Sequence, residues 1–238
     1  MGEVGSGDLA RSLFWFPWVG ALLGLGFWWA LLALQGFFPP AAAAALLLTL
    51  TVLATRGLHL DGLADTVDGL GGGSNPQDRL AIMKDSRLGA FGAVSLFLAL
   101  LLKYAFFLAW AEKGLGPGLI LYPVLSRWGM VFLAFLSPYA RPEGGLGQAM
   151  TTGVSARTLL GATLSALALA LLIFQVSGLL LLAAAAAATW LLSIYFQKRL
   201  GGVTGDVLGT ANEVLEILVL AGLLLLPPGP PIFSLWFF

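Results

Sequence analysis

The chain has few charged residues and no cysteine. Only 10% of its 238 residues are charged and 59% are hydrophobic, whereas a soluble domain is about a quarter charged. So few charges cannot cover a surface that faces water, and the composition excludes a soluble domain, a disordered chain and a coiled coil. The lack of cysteine excludes thiolate metal sites, disulfides and a cysteine nucleophile. Because the net charge is zero, there is no basic surface, and we expect no nucleic-acid partner.

Long runs of Leu, Ala, Phe and Gly are present instead, and they predict an all-α, polytopic membrane protein. A helix needs about 20 mostly apolar residues to span a bilayer, whereas a membrane barrel shows alternating segments of roughly 10 residues. Hydropathy predicts about seven transmembrane helices, or six if the last one does not cross. The predicted spans are 16–37, 41–57, 92–111, 118–137, 158–175, 178–196 and 212–226. We expect one integral-membrane domain over residues 1–238.

The charges that are present lie mostly on one side of this topology. If the N-terminus and the loop at about 58–91 share a side, that side holds most of the basic residues, namely Arg11, Arg56, Arg79, Lys84, Arg87, Arg141, Arg157, Lys198 and Arg199. The positive-inside rule makes this face cytoplasmic, so we expect a multi-pass protein of the cell inner membrane with its active-site loops in the cytoplasm. Most acidic residues share this face. This arrangement favours an enzyme over a transporter, whose polar sites usually lie near the bilayer midplane.

Three aspartates in the loop 58–91 have helical spacing. Asp61, Asp65 and Asp68 stand at positions i, i+4 and i+7, which share one face of a helix. Carboxylates this close repel one another unless a divalent cation neutralises them, and oxygen ligands favour Mg²⁺, or Mn²⁺, over zinc. The alternative is a solvated acidic end of a helix. We favour the metal site because the cluster adjoins a span in a chain with few charges, and because Mg²⁺ also binds substrate phosphates.

Candidate phosphate-binding and catalytic residues lie close to these aspartates. Lys84 and Arg87 flank Asp85, and such cations often stabilise a phosphoryl group during transfer. Asp85 is a further candidate metal ligand, while the alternative is that the two cations merely flank the next span on its cytoplasmic side. His59, the only histidine of the chain, is a candidate general base or else a polar residue at the end of a span.

Other candidate residues lie inside or just before the later spans. Charged residues within spans are usually functional, and Arg127 is a candidate ligand for an anionic substrate. Alternatively, Arg127 and Lys103 each pair with a carboxylate or extend to the interface. A polar cluster precedes the last predicted span and comprises Asp206, Asn212, Glu213 and Glu216. A helix cap would account for part of this cluster, although Glu216 lies a full turn deeper.

These motifs resemble the cobalamin synthase family, the adenosylcobinamide-GDP ribazoletransferases. The matching stretches are 55–73 (TRGLHLDGLADTVDGLGGG), 82–92 (IMKDSRLGAFG), 125–127, 138–141 and 201–209 (GGVTGDVLG), followed by Asn212, Glu213 and Glu216. The resemblance implies a Mg²⁺-dependent membrane transferase with a corrinoid nucleotide and α-ribazole, or its 5′-phosphate, as substrates. Such an enzyme joins adenosylcobinamide-GDP to the ribazole and releases GMP, which gives adenosylcobalamin or its 5′-phosphate.

The resemblance also implies roles for individual residues. It implies that the three aspartates of 61–68 hold the metal and that the segment 84–87 handles the diphosphate. The remaining candidates for substrate binding are Arg127, Arg141, Thr204, Asp206, Asn212, Glu213 and Glu216.

Two other classes of protein remain as alternatives. One is another Mg²⁺-dependent membrane transferase that acts on a diphosphate, of the CDP-alcohol or prenyl type. The CDP-alcohol pattern continues with an arginine and more distant aspartates, a spacing that this chain lacks. The other is an ion-coupled transporter, against which the one-sided charge argues. Small residues such as Gly20 and Gly24 can pack helices within or between protomers, so a homo-oligomer is also compatible with the sequence.

Overall fold

The computed structural model describes residues 6–114 and 116–226, so residues 1–5, 115 and 227–238 of the predicted single domain lie outside the described residues. The helices are α1 Ser6–Ser12, α2 Phe16–Gln35, α3 Pro40–Thr55, α4 Leu58–Gly72, α5 Pro76–Ile82, α6 Ala90–Lys113, α7 Leu121–Leu136, α8 Leu146–Thr151, α9 Ala156–Leu200 and α10 Gly205–Leu225. Short 3₁₀ helices precede α2 and α7. No strand forms within the described ranges, so the predicted all-α class is confirmed.

Five helical segments are long and apolar enough to cross a bilayer, and the bent pair of α3 and α4 makes a sixth if it is counted as one span. These segments keep large apolar side chains on their outer surfaces, such as Leu22 in α2 and Phe97 in α6, as helices in contact with lipid do. The polytopic membrane prediction is therefore confirmed, with five or six candidate spans where about seven were predicted.

The long helix α9 accounts for the difference in the number of spans. As one straight helix, its 45 residues would extend about 67 Å at about 1.5 Å per residue, which is more than twice the hydrocarbon thickness of roughly 30 Å. The backbone leaves the helical region at Gln175, with φ 53° and ψ −135°. A Cβ atom on Gly178 would lie 2.2 Å from the carbonyl oxygen of Ala170. The chain therefore folds back on itself at this break.

Contacts with α7 show that the two arms of α9 run in opposite directions. In the first arm, the side chain of Thr163 accepts a hydrogen bond from Trp128, and the later Phe174 lies against Gly118, before α7. In the second arm, Thr189 lies against Gly129, and the later Ser193 bonds to Ser137, just after the end of α7. These arms correspond to the predicted spans 158–175 and 178–196, so a total of seven spans depends on counting them separately.

The loops that carry most of the charges meet at one end of the bundle, which we call the polar end. There the guanidinium of Arg79 donates to the carbonyl oxygen of Arg199 at 3.0 Å, and the amide of Ala140 donates to the carbonyl of Val203 at 2.9 Å. The structure therefore brings together the segments that hydropathy placed on one side of the membrane.

Helix α4 lies across the polar end because the chain turns sharply before it. Arg56 and Gly57 have φ values of 52° and 68°, and the axes of α3 and α4 meet at 85°. Helix α4 then packs between α6 and α10. A Cβ atom on Gly62 would lie 2.7 Å from the carbonyl oxygen of Asp206, and Thr210 donates to the carbonyl of Gly62 at 3.0 Å. The predicted loop 58–91 is thus largely helical, because α4 and α5 occupy most of it.

Helix α7 is the buried centre of the bundle, and glycines let α2 approach it. A Cβ atom on Gly20 would lie 2.3 Å from the carbonyl oxygen of Pro123, and one on Gly24 would lie 2.5 Å from that of Ile120. Both glycines therefore pack helices within one chain, which is one of the two uses that the sequence allowed.

We predict that Gly20→Ala lowers the free energy of unfolding by about 1–3 kcal/mol, because the added methyl group overlaps the backbone of α7. The matched control is Gly26→Ala, since a Cβ atom at Gly26 has nothing within 4 Å and Ala favours a helix more than Gly does. Equilibrium unfolding in mixed detergent measures both. Equal stability of the two variants would contradict the close packing of α2 on α7.

Candidate active site

The three aspartates of α4 lie in three different environments. Asp61 is exposed, Asp65 is half-buried and Asp68 is buried. The carboxylate of Asp68 accepts hydrogen bonds from the amides of Gly89 and Gly92, both at 2.7 Å. These amides stand at the start of α6, where a carboxylate is favoured. Asp68 therefore fastens α4 to α6, and both of its oxygens are already used.

Asp61 and Asp65 form an acidic cluster with Asp206 at the start of α10. The charge of Asp65 is repelled by Asp61, by Asp206 and by Asp68, and it is attracted to Arg141. We call Asp61, Asp65 and Asp206 the acidic cluster. It brings together two motifs that are more than a hundred residues apart in the chain.

The loop before α10 holds Asp206 in place. Its carboxylate accepts from the guanidinium of Arg141 at 2.9 Å and from the hydroxyl of Thr204 at 3.3 Å. Thr204 is fully buried and also caps α10, because its hydroxyl accepts from the amide of Val207. The Nε atom of Arg141 is buried and has no hydrogen-bond partner among the described residues. Arg141 therefore keeps an unused donor beside the acidic cluster.

Two cavities meet at Asp61. The first, which we call the α2 cavity, has a volume of about 480 Å³, and its lining includes His59, Asp61, Arg127 and Asp206 together with apolar residues of α2. The second, the α6 cavity, has a volume of about 760 Å³, and it is lined by Asp61, Asp65, Ser86 and apolar residues of α6. Asp61 thus lies on the boundary of both cavities, and a ligand in either one meets its carboxylate.

The acidic cluster fits a magnesium ion that is shared with a substrate. Within residues 6–114 and 116–226, no three His, Asp or Glu side chains stand close enough to hold a metal ion by themselves. Mg²⁺ commonly needs only one or two carboxylates, because waters and substrate phosphates complete its coordination. Asp61 and Asp65 are one helical turn apart and both border the α6 cavity. They can therefore supply such a pair, while the buried Asp68 is engaged elsewhere.

The segment 84–87 lies at the surface of the polar end and is already paired. Lys84 forms an ion pair with Glu143, and this hydrogen bond lowers the pKa of the Glu143 carboxyl. The Nε atom of Arg87 donates to the carboxylate of Asp85 at 3.0 Å, and these hydrogen bonds lower the pKa of Asp85 to about 2. The neighbouring Ser86 lines the α6 cavity. These side chains therefore stand near a cavity, while Asp85 lies apart from the acidic cluster.

The later polar residues form a buried ion network. Lys103 of α6 donates to Glu213 at 2.5 Å and to Glu216 at 2.6 Å. Arg127 of α7 donates to the other oxygen of Glu216 at 3.3 Å. All four side chains are at most 7% exposed. Two cations offset two carboxylates, so the network is neutral as a whole and joins α6, α7 and α10.

Lys103 is the member of this network that the site prediction left out. The sequence contains a signal for it, because two glutamates in a span need cations at the same depth. Sequence spacing does not show which cation meets which acid. Glu213 and Glu216, which were predicted to bind substrate, form ion pairs with Lys103 and Arg127.

Asn212 connects the ion network to the α2 cavity. Its Nδ2 atom lies 2.9 Å from Oε1 of Glu216 and 2.9 Å from Nδ1 of His59. His59 and Arg127 are both among the residues that line the α2 cavity. The structure therefore brings most of the predicted residues into two groups, one at the acidic cluster and one behind the α2 cavity. Asp68 and the segment 84–87 lie outside both groups.

Comparisons with known proteins show which family the chain resembles. The family model described as cobalamin-5-phosphate synthase matches residues 2–224. A protein of Syntrophobacter fumaroxidans named adenosylcobinamide-GDP ribazoletransferase is 44% identical over 214 residues, which are 90% of this chain and 86% of that protein. Proteins of the same name are 42% identical in Pseudomonas putida (92% of this chain, 89% of that protein) and 39% identical in Desulfitobacterium hafniense (92% and 88%). No solved structure matches the chain significantly.

We predict that Lys103→Met lowers the free energy of unfolding by about 3–5 kcal/mol, because it leaves two buried carboxylates with one cation. The control is Lys113→Met at the exposed end of the same helix, which should change stability by no more than about 0.5 kcal/mol. Adding Glu213→Gln to Lys103→Met should restore part of the loss, since the surplus charge is then removed. Strictly additive effects in this double-mutant cycle would show that the two side chains do not interact.

Proposed function

The chain belongs to the cobalamin-5-phosphate synthase family, and we propose that it is an adenosylcobinamide-GDP ribazoletransferase that works at one face of a membrane. The observation that carries this proposal is the family match over residues 2–224, together with relatives of that name at 39% to 44% identity. The chain is accordingly a transferase of cobalamin biosynthesis. The family match also weighs against the CDP-alcohol, prenyl and transporter alternatives.

The proposed reaction is a direct phosphoryl transfer. A hydroxyl group of α-ribazole, or of its 5′-phosphate, attacks the phosphorus on the cobinamide side of the diphosphate. A new oxygen–phosphorus bond forms, the bond to the departing GMP breaks, and the hydroxyl proton passes to a base. Catalysis of this kind needs positioning and charge stabilisation and no covalent nucleophile, which agrees with a chain that has no cysteine.

The acidic cluster would hold the metal in this reaction. Asp61 and Asp65 are the carboxylates with room for Mg²⁺, or Mn²⁺, next to a cavity. When bound, the metal neutralises charge on the diphosphate oxygens. Asp206 stays oriented by its hydrogen bond from Arg141, whose unpaired Nε donor is suited to a phosphate oxygen. Lys84 and Arg87, which lie close in the chain to the cavity-lining Ser86, are candidate ligands for the rest of the diphosphate once their surface ion pairs open.

The two cavities suit a reaction between two substrates. In-line transfer places the attacking and the leaving oxygen on opposite sides of the phosphorus. Because Asp61 borders both the α2 cavity and the α6 cavity, a phosphorus atom held beside it has free space on two sides. The ribazole and the corrinoid nucleotide can therefore approach from different cavities, and we propose that they do.

The polar end is proposed to face the cytoplasm. It gathers most of the basic residues, and the positive-inside rule assigns such a face to the cytoplasmic side. Both substrates are polar, and this orientation lets them reach the acidic cluster without crossing the bilayer. A homo-oligomer remains compatible with this arrangement.

We predict that the reaction occurs with Mg²⁺ and depends on the carboxylates of Asp61 and Asp65. Purified protein in detergent, supplied with Mg²⁺, adenosylcobinamide-GDP and α-ribazole 5′-phosphate, should form a cobamide and GMP. Asp61→Asn and Asp65→Asn should each lower turnover on the order of 100-fold or more, because a group that offsets transition-state charge is lost. Membrane insertion should be unchanged in both.

The matched control for these variants is Asp78→Asn, which removes an exposed carboxylate of α5 and should leave turnover close to that of the wild type. Absence of turnover by folded wild-type protein would refute the proposed function. Full activity of Asp65→Asn would refute only its role as a ligand.

The orientation of the protein in the membrane can be tested with single cysteines. Because the chain has no cysteine, any introduced cysteine is unique. In right-side-out membrane vesicles, a membrane-impermeant maleimide should label Lys113→Cys and Val176→Cys at the end opposite the polar end. Arg157→Cys, at the polar end, should be labelled only after permeabilisation. Labelling of Arg157→Cys from outside would reverse the proposed orientation, and labelling of Val176→Cys only from inside would exclude the α9 hairpin as two spans.

A further inference from the structure

We propose that His59 serves the reaction as a hydrogen-bond donor through Nε2–H, with Nδ1 unprotonated, and that Asn212 is the positioning residue that holds it in this form. His59 was predicted from sequence as a possible general base. The proposal replaces that role and deepens the proposed function, on which its catalytic part rests. Its structural part, the protonation pattern of the ring, stands on the hydrogen bonds alone.

Glu216 fixes the orientation of the Asn212 amide. Glu216 accepts hydrogen bonds from Lys103 and Arg127, so its carboxylate is ionised and can only accept. The atom of Asn212 that lies 2.9 Å from Oε1 of Glu216 must therefore be the amide nitrogen, because the amide oxygen there would set two acceptors against each other. Among the described residues, the Oδ1 atom of Asn212 is buried without a partner, so the two contacts of its nitrogen hold the side chain.

The Asn212 amide in turn fixes which nitrogen of the His59 ring carries the proton. The same Asn212 nitrogen lies 2.9 Å from Nδ1 of His59, and an amide NH₂ group has two hydrogens to donate and no lone pair with which to accept. One hydrogen goes to Glu216 and the other to Nδ1. The Nδ1 atom must therefore be the acceptor and carry no proton, since an Nδ1–H would point at an N–H. An imidazole ring that lacks the proton on Nδ1 carries it on Nε2.

The Nε2 end of the His59 ring is left for a ligand. His59 is half-buried and lines the α2 cavity beside Asp61 and Asp206. Its Nε2 atom has no hydrogen-bond partner in the part of the chain that the structure describes. A phosphoryl oxygen that enters the cavity next to Asp61 can thus accept a hydrogen bond from Nε2–H. The hydrogen bond from Asn212 to Nδ1 fixes the orientation of this donor. Donors fixed in this way stabilise the charge that develops during phosphoryl transfer.

The proton of the attacking hydroxyl then has to pass to a carboxylate. With Nδ1 engaged by Asn212 and Nε2 already protonated, His59 has no free lone pair to receive it. Asp68 is also engaged, because both of its oxygens accept backbone amides. Asp61 and Asp65 remain as acceptors of this proton within α4.

The protonation pattern can be measured directly because the chain has one histidine. Protein labelled with ¹⁵N-histidine in lipid nanodiscs gives one pair of ring-nitrogen NMR signals. We expect Nδ1 to show the shift of an unprotonated nitrogen and Nε2 that of a protonated one. In Asn212→Ala, Nδ1 of His59 loses its hydrogen-bond donor, and the two ring-nitrogen signals should change. A protonated Nδ1 in the wild type would overturn the proposal, whatever the activity of the protein.

Substitutions of His59 distinguish a hydrogen-bond donor from a general base. Gln places an amide N–H near the position of Nε2, whereas Phe fills the same space without a donor. We expect His59→Gln to retain turnover within about tenfold of the wild type and His59→Phe to lose on the order of 100-fold. Equal and severe losses in both variants, with unchanged melting temperatures, would refute the donor role. If wild-type protein shows no turnover, the proposed function fails, while the NMR result still decides the state of the ring.

Discussion

The buried ion network of Lys103, Arg127, Glu213 and Glu216 is the interaction on which the rest of the structure depends. Charges at membrane depth are costly unless they are paired, and here two cations from α6 and α7 offset two carboxylates of α10. The pairing fixes the rotation of three spans about their axes. The start of α10 carries Asp206, so the same pairing also sets where one member of the acidic cluster stands.

Helix α4 is positioned by contacts that follow from this arrangement. It lies across the polar end because α3 ends in two residues with positive φ, Arg56 and Gly57. It approaches α10 closely at Gly62, and Asp68 fastens it to the first amides of α6. Its exposed Asp61 is then left where the α2 cavity and the more open α6 cavity meet.

The acidic residues divide into those that maintain the structure and those that are free for chemistry. Asp68, Glu213 and Glu216 are buried and held by backbone amides or by ion pairs, so we expect their loss to act through folding. Asp61 and Asp65 border a cavity and repel each other, and such repulsion is what a bound cation would relieve. His59 stands between the two groups, because Asn212 links its ring to the ion network and His59 also lines the α2 cavity.

The sequence by itself determined the all-α membrane class, the approximate spans and the family, because hydropathy and short motifs are local properties of the chain. It also identified nearly all of the residues that meet at the polar end. Only the tertiary structure decided which contacts each of them makes. The i, i+4, i+7 spacing places Asp68 beside Asp61 and Asp65, but the amides that occupy Asp68 come from the start of α6. Likewise, Lys103 lies 110 residues before Glu213, so their pairing depends on how separate spans pack, and spacing along one helix carries no information about that.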